Sequence, residues 1–535
     1  MSTGVFGKRC YITTPIYYAN GLPHIGNAYT SFLADFLARL KRVAGYEVKF
    51  ATGTDENGQK MVNSATAVGK SLGQFLDDMA LDHRKTWDIL QISYTDFIRT
   101  ADSLHHTTVQ QFITQTFAAG YIYKGVYRGY YCVGCESFKK ETDLTPDGLC
   151  PDHRVKPEII EEDNWFFRLR AFQDFLLDWY ESHPSFCVPD GRFHEVRSFV
   201  EQGLEDFSVS RQGSDVGIRF PVDVDPEAVV YIWFDALYNY VTAAGLARSG
   251  QERWVSTTEK IHVLGKDISR FHAIYWPAML QAVGLPLPDQ LVINGFFTVN
   301  GQKMSKSLGN SLDPVVLLEQ YGRDSLVYYL FSDIKVGSDG DFNTERLLAT
   351  RENVLKKTRG NLVSRTLTLA INNQVSDFDL PHLHEAWRQT HDHVLLDNPL
   401  ADLIFSSRLG GANLGETFAV YTDHVDLHRY IKDRYELVQL TNKFVDDTKP
   451  RELAKSDMHA AQSAIRATLW MIKNLALLAS PFLVESTRTL QSLFLWENDS
   501  WKDWQTTVSA PHHGQFLDLL SASSGQCILQ KGHLF

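Results

Sequence analysis

The stretch from Tyr11 to Gly58 constrains the fold more than any other part of the sequence. Tyr11-Ile12-Thr13 reads as a buried strand ended by Pro15, and a turn-rich segment follows, Ala19-Asn20-Gly21-Leu22-Pro23. His24-Ile25-Gly26-Asn27 comes next. It opens an amphipathic run in which Phe32, Leu33, Phe36, Leu37, Leu40 and Val43 recur at helical spacing, closed by Gly45. A second strand, Val48–Thr52, then runs into Gly53-Thr54-Asp55-Glu56-Asn57-Gly58. Parallel strands need a crossover, and strand, loop, helix, strand in this order is the start of a parallel α/β sheet. A further helix begins at Ser71, with Gln74 three residues on as a capping box. It buries Leu72, Phe75, Leu76, Met79 and Trp87.

The rhythm lapses over about residues 120–225, rich in Tyr, Gly and Cys, which predicts an inserted module. It resumes at Val229-Val230-Tyr231-Ile232-Trp233-Phe234-Asp235 and at Lys260–Gly265, and a third apolar strand, Leu291-Val292-Ile293, follows. From about residue 340 the pattern is helical. Leu348, Leu355, Leu362 and Leu369 repeat every seven residues, which predicts a helix bundle. At 535 residues the chain suits about three domains. It has no apolar run of roughly 18 residues to span a membrane, and Met1–Cys10 lacks the apolar core of a secretory signal. Six cysteines do not make a disulfide scaffold, so a reducing, cytoplasmic setting is expected. A net charge of −12 excludes coating nucleic acid by bulk positive charge. One local exception is the stretch 346–365, with six basic side chains and one acid, Glu352, which is either an RNA-facing surface or a solvated helix face.

Two segments carry phosphate chemistry. His24-x-Gly26-Asn27 lies between a strand and a helix start, where backbone N–H groups and the helix dipole favour an anion. His24 and Asn27 can donate to phosphoryl oxygens, and Gly26 admits a nucleotide close to the backbone; a simple capped helix start is the plainer alternative. Lys303-Met304-Ser305-Lys306-Ser307, on a loop after Gly301, suits a mobile clamp on developing phosphate charge. A third cluster, Cys132-x2-Cys135-x14-Cys150-x2-His153, supplies four donors on two turns, the closed tetrahedral set of one structural Zn²⁺.

His24-Ile25-Gly26-Asn27 followed by Lys303-Met304-Ser305-Lys306-Ser307 resembles the paired signatures of class I aminoacyl-tRNA synthetases. Further stretches resemble the methionyl-tRNA synthetases: Thr13-Thr14-Pro15-Ile16-Tyr17-Tyr18, Gly53-Thr54-Asp55-Glu56, Tyr231-Ile232-Trp233-Phe234-Asp235-Ala236-Leu237, and Gly265-Lys266-Asp267-Ile268 with Phe271-His272. The likeness runs from about residue 9 to 490, and the single knuckle of three cysteines and one histidine is similar to one subgroup. It departs at three positions: Asn27 and Asn57 stand where histidine is usual, and Arg451 where the family usually has tryptophan.

The resemblance implies a methionine–tRNA ligase. His24, Asn27, Lys303 and Lys306 would be catalytic, and Tyr18, His24, Gly26, Asn27, Gly265, Asp267, Lys303 and Lys306 would bind ATP with its Mg²⁺. Ile16, Asp55, Trp233, Ala236, Leu237, Tyr240, Phe271 and His272 would hold L-methionine, Asp55 pairing with its ammonium. Aromatic walls suit a polarizable thioether. Asn361 and Arg365, four apart on one helical face, would read the anticodon with Arg451. The partners implied are L-methionine, ATP and tRNA(Met), initiator included, with no membrane and a monomeric chain, since no appended dimerisation domain follows. The fold implied is α/β: a Rossmann-like catalytic domain in two halves, 1–119 and 226–325, split by the zinc-bearing connective insertion 120–225. A linker and stem-contact region, 326–345, leads to the α-helical anticodon-binding domain and tail, 346–535. A class I synthetase for another amino acid, or a catalytically impaired paralogue with an RNA-binding or regulatory role, are the alternatives.

Overall fold

The computed structural model describes residues 8–132, 137–139, 141–151, 154–211, 216–221, 223–245, 252–257, 259–299, 301–304, 311–379, 400, 414–423, 425–493 and 524–526. Its centre is a six-stranded, all-parallel sheet. The strands are β1 (Arg9–Tyr18), β2 (Glu47–Asp55), β3 (Asp96–Arg99), β4 (Cys187–Val188), β5 (Glu259–Gly265) and β6 (Gln290–Asn294), in the order β3-β2-β1-β5-β6-β4. The chain winds outward from β1 through β2 to β3 and later returns to the other side of β1 with β5. The order therefore reverses between β1 and β5, and a crevice opens there beyond their carboxyl ends.

Helix α1 (Ile25–Val43) is the first crossover and is buried along almost its whole length. Pro15 does not end β1, contrary to the sequence expectation. The strand absorbs it in a register shift against β2 between Thr13 and Ile16 and runs on to Tyr18, opposite Asp55. A bulge accommodates a residue that cannot donate to the ladder. Ser71 does cap the helix Leu72–Ile89.

Strands Ser137–Lys139, Ile122–Cys132, Glu158–Phe167 and Phe207–Ser208 form a separate antiparallel sheet, in that order. The segment 120–225 does not stay apart from the main sheet, however, because β4 lies within it and pairs with β6. Two residues are too few to show a period in sequence. Val229–Val230 makes only a short antiparallel pair with Ser210–Arg211, and the next residues form helix α2 (Ile232–Leu237).

The C-terminal part is helical, as expected, but the heptad does not mark one face. Leu355 and Leu362 are buried, whereas Leu348 is 44% exposed. Residues Arg351–Gly360 form a π-helix, which shifts the phase of everything after it. Helix α3 (Arg323–Asp333) enters this region from Gly322, whose φ of +78° favours glycine. Beyond the π-helix come α4 (Asn361–Asn372), α5 (Leu427–Thr448), α6 (Met458–Ala479) and α7 (Val484–Leu493).

Helix α1 and the bundle share one core. Phe36 of α1 meets Phe331, Tyr430 and Phe482 at ring-centroid distances of 5.8, 5.5 and 6.4 Å. Beside this contact lies a buried charge network centred on Arg323. Its Nε donates to the Leu90 carbonyl at 2.9 Å, one terminal nitrogen to the Phe482 carbonyl at 3.0 Å, and the other to Asp35 of α1 at 3.1 Å. Asp35 also accepts from Arg39 Nε at 2.8 Å and from Ser93 N and Oγ. Burial alone would raise the Asp35 pKa; Arg39, Arg323 and the Ser93 hydroxyl overcome it and hold the carboxyl below its usual range.

A carboxylate depressed in the folded state stabilises the fold above its ordinary range and loses that contribution as pH falls through it. Arg323→Ala leaves two carbonyls and part of Asp35 unsatisfied in the interior, and should cost about 3–5 kcal/mol. Urea unfolding at neutral pH measures this. Repeated toward pH 3, it should show a shallower acid loss in Asp35→Asn than in the parent.

Candidate active site

The strand topology brings the first signature to the crevice. Helix α1 begins there, and His24 is its N-cap. The His24 Nδ1 accepts the Gly26 and Asn27 N–H groups at 3.0 and 3.3 Å, and the Asn27 side-chain oxygen accepts the His24 N–H at 3.1 Å, a reciprocal capping box. These bonds assign the atoms. With Nδ1 accepting, the ring proton sits on Nε2, and with the Asn27 oxygen accepting, its NH₂ is the donor end. A Cβ on Gly26 would lie 2.9 Å from the His24 ring and 3.6 Å from the Met304 methyl. The two signatures, far apart in sequence, thus meet at Gly26. The Leu312 carbonyl, beyond the lysine loop, accepts the Ile25 N–H at 3.0 Å and ties the loop's far end to the same helix start.

The lysine loop leaves a small sheet. Gln302–Lys303 pairs antiparallel with Phe297–Val299, which pairs in parallel with Gly340–Phe342. The Gly301 N–H donates to Asp341 at 2.7 Å, and this bond holds that carboxyl below its usual range. Lys306 lies outside the described residues, and of Lys303 only the backbone is described. Gly265 ends β5, and a Cβ there would meet the Asp267 carboxylate at 2.6 Å; Asp267 is exposed at the crevice edge.

Asp55 ends β2 and is buried, accepting from Thr100 Oγ1 at 3.3 Å and Asn57 N at 3.4 Å. Ile16, half-buried, pairs with Gly53 beside it. Trp233 stacks on Phe271 at 4.1 Å with 9° between planes, and Tyr18 meets Trp233 edge-on at 6.5 Å. Ala236 and Leu237 are buried on the same helix as Trp233. Tyr240 donates its hydroxyl to His272 Nε2 at 2.6 Å, because His272 Nδ1–H is used by the Ile268 carbonyl at 2.9 Å. Burial pushes the His272 pKa down to about 4, so the ring is neutral.

Sequence reasoning missed the groups that stand behind these. His262 is fully buried; Trp276 donates to its Nε2 at 3.2 Å, which leaves Nδ1–H to donate to Thr13 Oγ1 at 2.7 Å. Its ring lies 4.2 Å from that of Tyr240. Arg211 lies over the Tyr231 ring at 4.3 Å. Asn57 donates to Asp235 at 2.6 Å. Two of these carried a signal: Asp235 as a lone acid inside an apolar run, and Asn57 as a departure from the family pattern.

Of the metal candidates, Cys132 and Cys150 are fully buried. Cys150 begins a tight turn in which Arg154 N donates to the Cys150 carbonyl and Cys150 N to the Val155 carbonyl, both at 2.8 Å, with Arg154 in the left-handed region. Cys135 and His153 lie outside the described residues, and among those described no group of three metal-binding side chains forms. The RNA-reading candidates sit in the helical part. Asn361 and Arg365 are exposed on α4. Arg365 pairs with Asp446 at 2.8 Å and Asn442 at 3.2 Å, on the last turns of α5. A shallow, open depression adjoins them, lined by Lys357, Gln439, Asn442 and Lys443 among others. Arg451 is exposed just beyond, after Lys449 in the left-handed region.

Two family models match: tRNA synthetases class I (M), over residues 10–156 and 153–367, and the anticodon binding domain of methionyl tRNA ligase, over 410–519. The chain is 39% identical to the methionine–tRNA ligase of Thermotoga maritima, over 90% of this chain and 74% of that one. It is 40% identical to that of Nostoc sp., over 89% and 88%. It superposes on Mycobacterium tuberculosis methionyl-tRNA synthetase in complex with methionyl-adenylate with a TM-score of 0.84 at 32% identity, covering 99% of both chains. Two signatures meeting at a switch-point crevice, an aromatic cleft beside Asp55, a helical C-terminal part and this likeness along nearly the whole chain lead to one conclusion: the chain belongs to the class I methionyl-tRNA synthetase family.

Proposed function

We infer that the chain joins L-methionine to tRNA(Met), initiator included, in two steps. The methionine carboxylate attacks the α-phosphorus of ATP and pyrophosphate leaves; a ribose hydroxyl at the tRNA 3′ end then attacks the adenylate carbonyl and AMP leaves. The observation that carries this reading is the convergence of Gly26, His24 and Met304 at one helix start. His24 Nε2–H, the Asn27 NH₂, Lys303 and Lys306 act on phosphate charge, and Tyr18, Gly26, Gly265 and Asp267 seat the nucleotide. Mg²⁺ accompanies ATP and neutralises phosphate charge when bound. Positioning and electrostatics carry the rate, with no covalent nucleophile on the protein. The usual histidine at position 27 is replaced by an amide that both closes the cap and keeps a donor.

Asp55 meets the ammonium. Ile16, Trp233, Ala236, Leu237, Tyr240, Phe271 and His272 enclose the side chain, and the neutral His272 with Tyr240 suits an uncharged thioether. Asn361, Arg365 and Arg451 read the anticodon, with Arg451 stacking in place of an aromatic. The catalytic domain comprises 1–119 and 226–325 around the connective insertion 120–225, joined through 326–345 to the anticodon-binding part and tail, 346–535. One Zn²⁺ on Cys132, Cys135, Cys150 and His153 orders the insertion; the burial of two thiols and the tight turn at Cys150 support this donor set. We place the protein in the cytoplasm as a monomer; among the described residues no helix is long and apolar enough to cross a membrane.

ATP–pyrophosphate exchange with a panel of amino acids tests the function: methionine alone should drive it. Equal exchange with leucine would point to another class I specificity, and none with methionine to a silent paralogue. Gly26→Ala should push the His24 ring out of its cap and slow adenylate formation by about a hundredfold, with the methionine KM little changed. Elemental analysis should find one zinc per chain, lost in Cys135→Ser; unchanged metal content in that variant would remove the zinc assignment.

A further inference from the structure

A second carboxyl stands close to Asp55, and the chemistry above does not use it. Asp235 lies on α2 between Trp233 and Ala236, and it is fully buried. Asn57 touches both acids: its backbone N–H donates to Asp55 at 3.4 Å, and its side-chain NH₂ donates to Asp235 Oδ2 at 2.6 Å. The other oxygen, Oδ1, is sealed from solvent and has no hydrogen-bond partner among the described residues. Among the described residues no cation is one of the groups that act on it.

A buried carboxylate without a cation is costly, and a second carboxylate nearby makes it costlier. Burial first, and then the charge of Asp55, push the Asp235 pKa well up. The Asn57 amide and the Ala236 backbone N–H act in the opposite direction without reversing this shift.

We propose that Asp235 is a positioning residue of the amino-acid site. Held neutral and tied through Asn57 to the loop after β2, it keeps Asp55 in place as the single negative charge that meets the substrate ammonium. One charge then faces one ammonium. This rests on the reading of Asp55 given above and adds to it two residues that do not themselves touch the substrate.

Steady-state exchange kinetics on the full chain separate the two ideas. Asp55→Asn should raise the methionine KM about a hundredfold while the ATP KM stays within a factor of about three. Asp235→Asn keeps the shape and the neutrality, and should hold the methionine KM within about threefold. Asp235→Ala and Asn57→Ala each break the tie and should raise the methionine KM about tenfold with the ATP KM unmoved. If Asp235→Asn weakens methionine as much as Asp55→Asn does, Asp235 acts as a charge and the proposal is overturned. If Asn57→Ala leaves the methionine KM unchanged, the tie has no role and the proposal is equally overturned, even where Asp235→Ala does not fold. An unaltered methionine KM in Asp55→Asn would instead overturn the reading of Asp55.

Discussion

Asp35 is a carboxylate inside the protein, and the fold around it has to supply cations. Arg39 does so from the next turn of the same helix, and Arg323 from nearly three hundred residues away. A charge in the interior is tolerated only when paired and fully hydrogen-bonded. The Arg323 guanidinium meets that condition by reaching three separate parts of the chain at once: α1, the Leu90 carbonyl and the Phe482 carbonyl. Next to it Asp324 accepts the Glu485 and Ser486 N–H groups at 3.1 and 2.7 Å, which caps α7. Two adjacent residues of α3 therefore fasten the first crossover helix and the last described helix of the bundle to each other.

The consequence reaches the candidate active site because α1 carries its first signature. The N-terminus of α1 holds the His24 capping box, its middle holds Asp35 and Phe36, and the helix between them is buried. A stiff element gripped at its centre has little freedom at its end. The position of the His24–Asn27 turn is in this way set by the helical part of the molecule as well as by the sheet beneath it, and preorganised donors are the requirement of electrostatic catalysis.

Short-range features of this architecture are legible in the sequence. A polar residue before an apolar 3.6-period run announces the helix starts at His24 and Ser71, and the strand–helix–strand order announces the parallel sheet. Asp55 is legible through the family resemblance; the apolar pattern ends its strand at Thr52, and the structure carries β2 on to Asp55 at the crevice. Long-range features are not. Pro15 reads as a stop because its missing N–H is a local fact, whereas the bulge that absorbs it is a property of the paired strand β2. Strand β4 is two residues long and exists only by pairing with β6. The tie from Asn57 to Asp235 spans 178 positions, and the capping role of the Asn27 oxygen shows only once its partner's geometry is known.

The π-helix at Arg351–Gly360 sits inside one unbroken rod that runs from Thr344 to Asn372. Its wider turn is marked by the Thr358 hydroxyl, which reaches the carbonyl of Asn353, five residues back. Such a turn behaves as a stored insertion: the rod holds an extra residue without a break, and the helix beyond it is rotated as a result. Each residue of an α-helix turns the chain by about 100°. With the same number of residues in uniform α-geometry, the Arg365 side of α4 would be swung by about that angle relative to Leu347, away from Asp446, and removing one residue would bring it back. The azimuth of the exposed polar face is thus encoded by the length of the segment before it, independently of which side chains that segment carries.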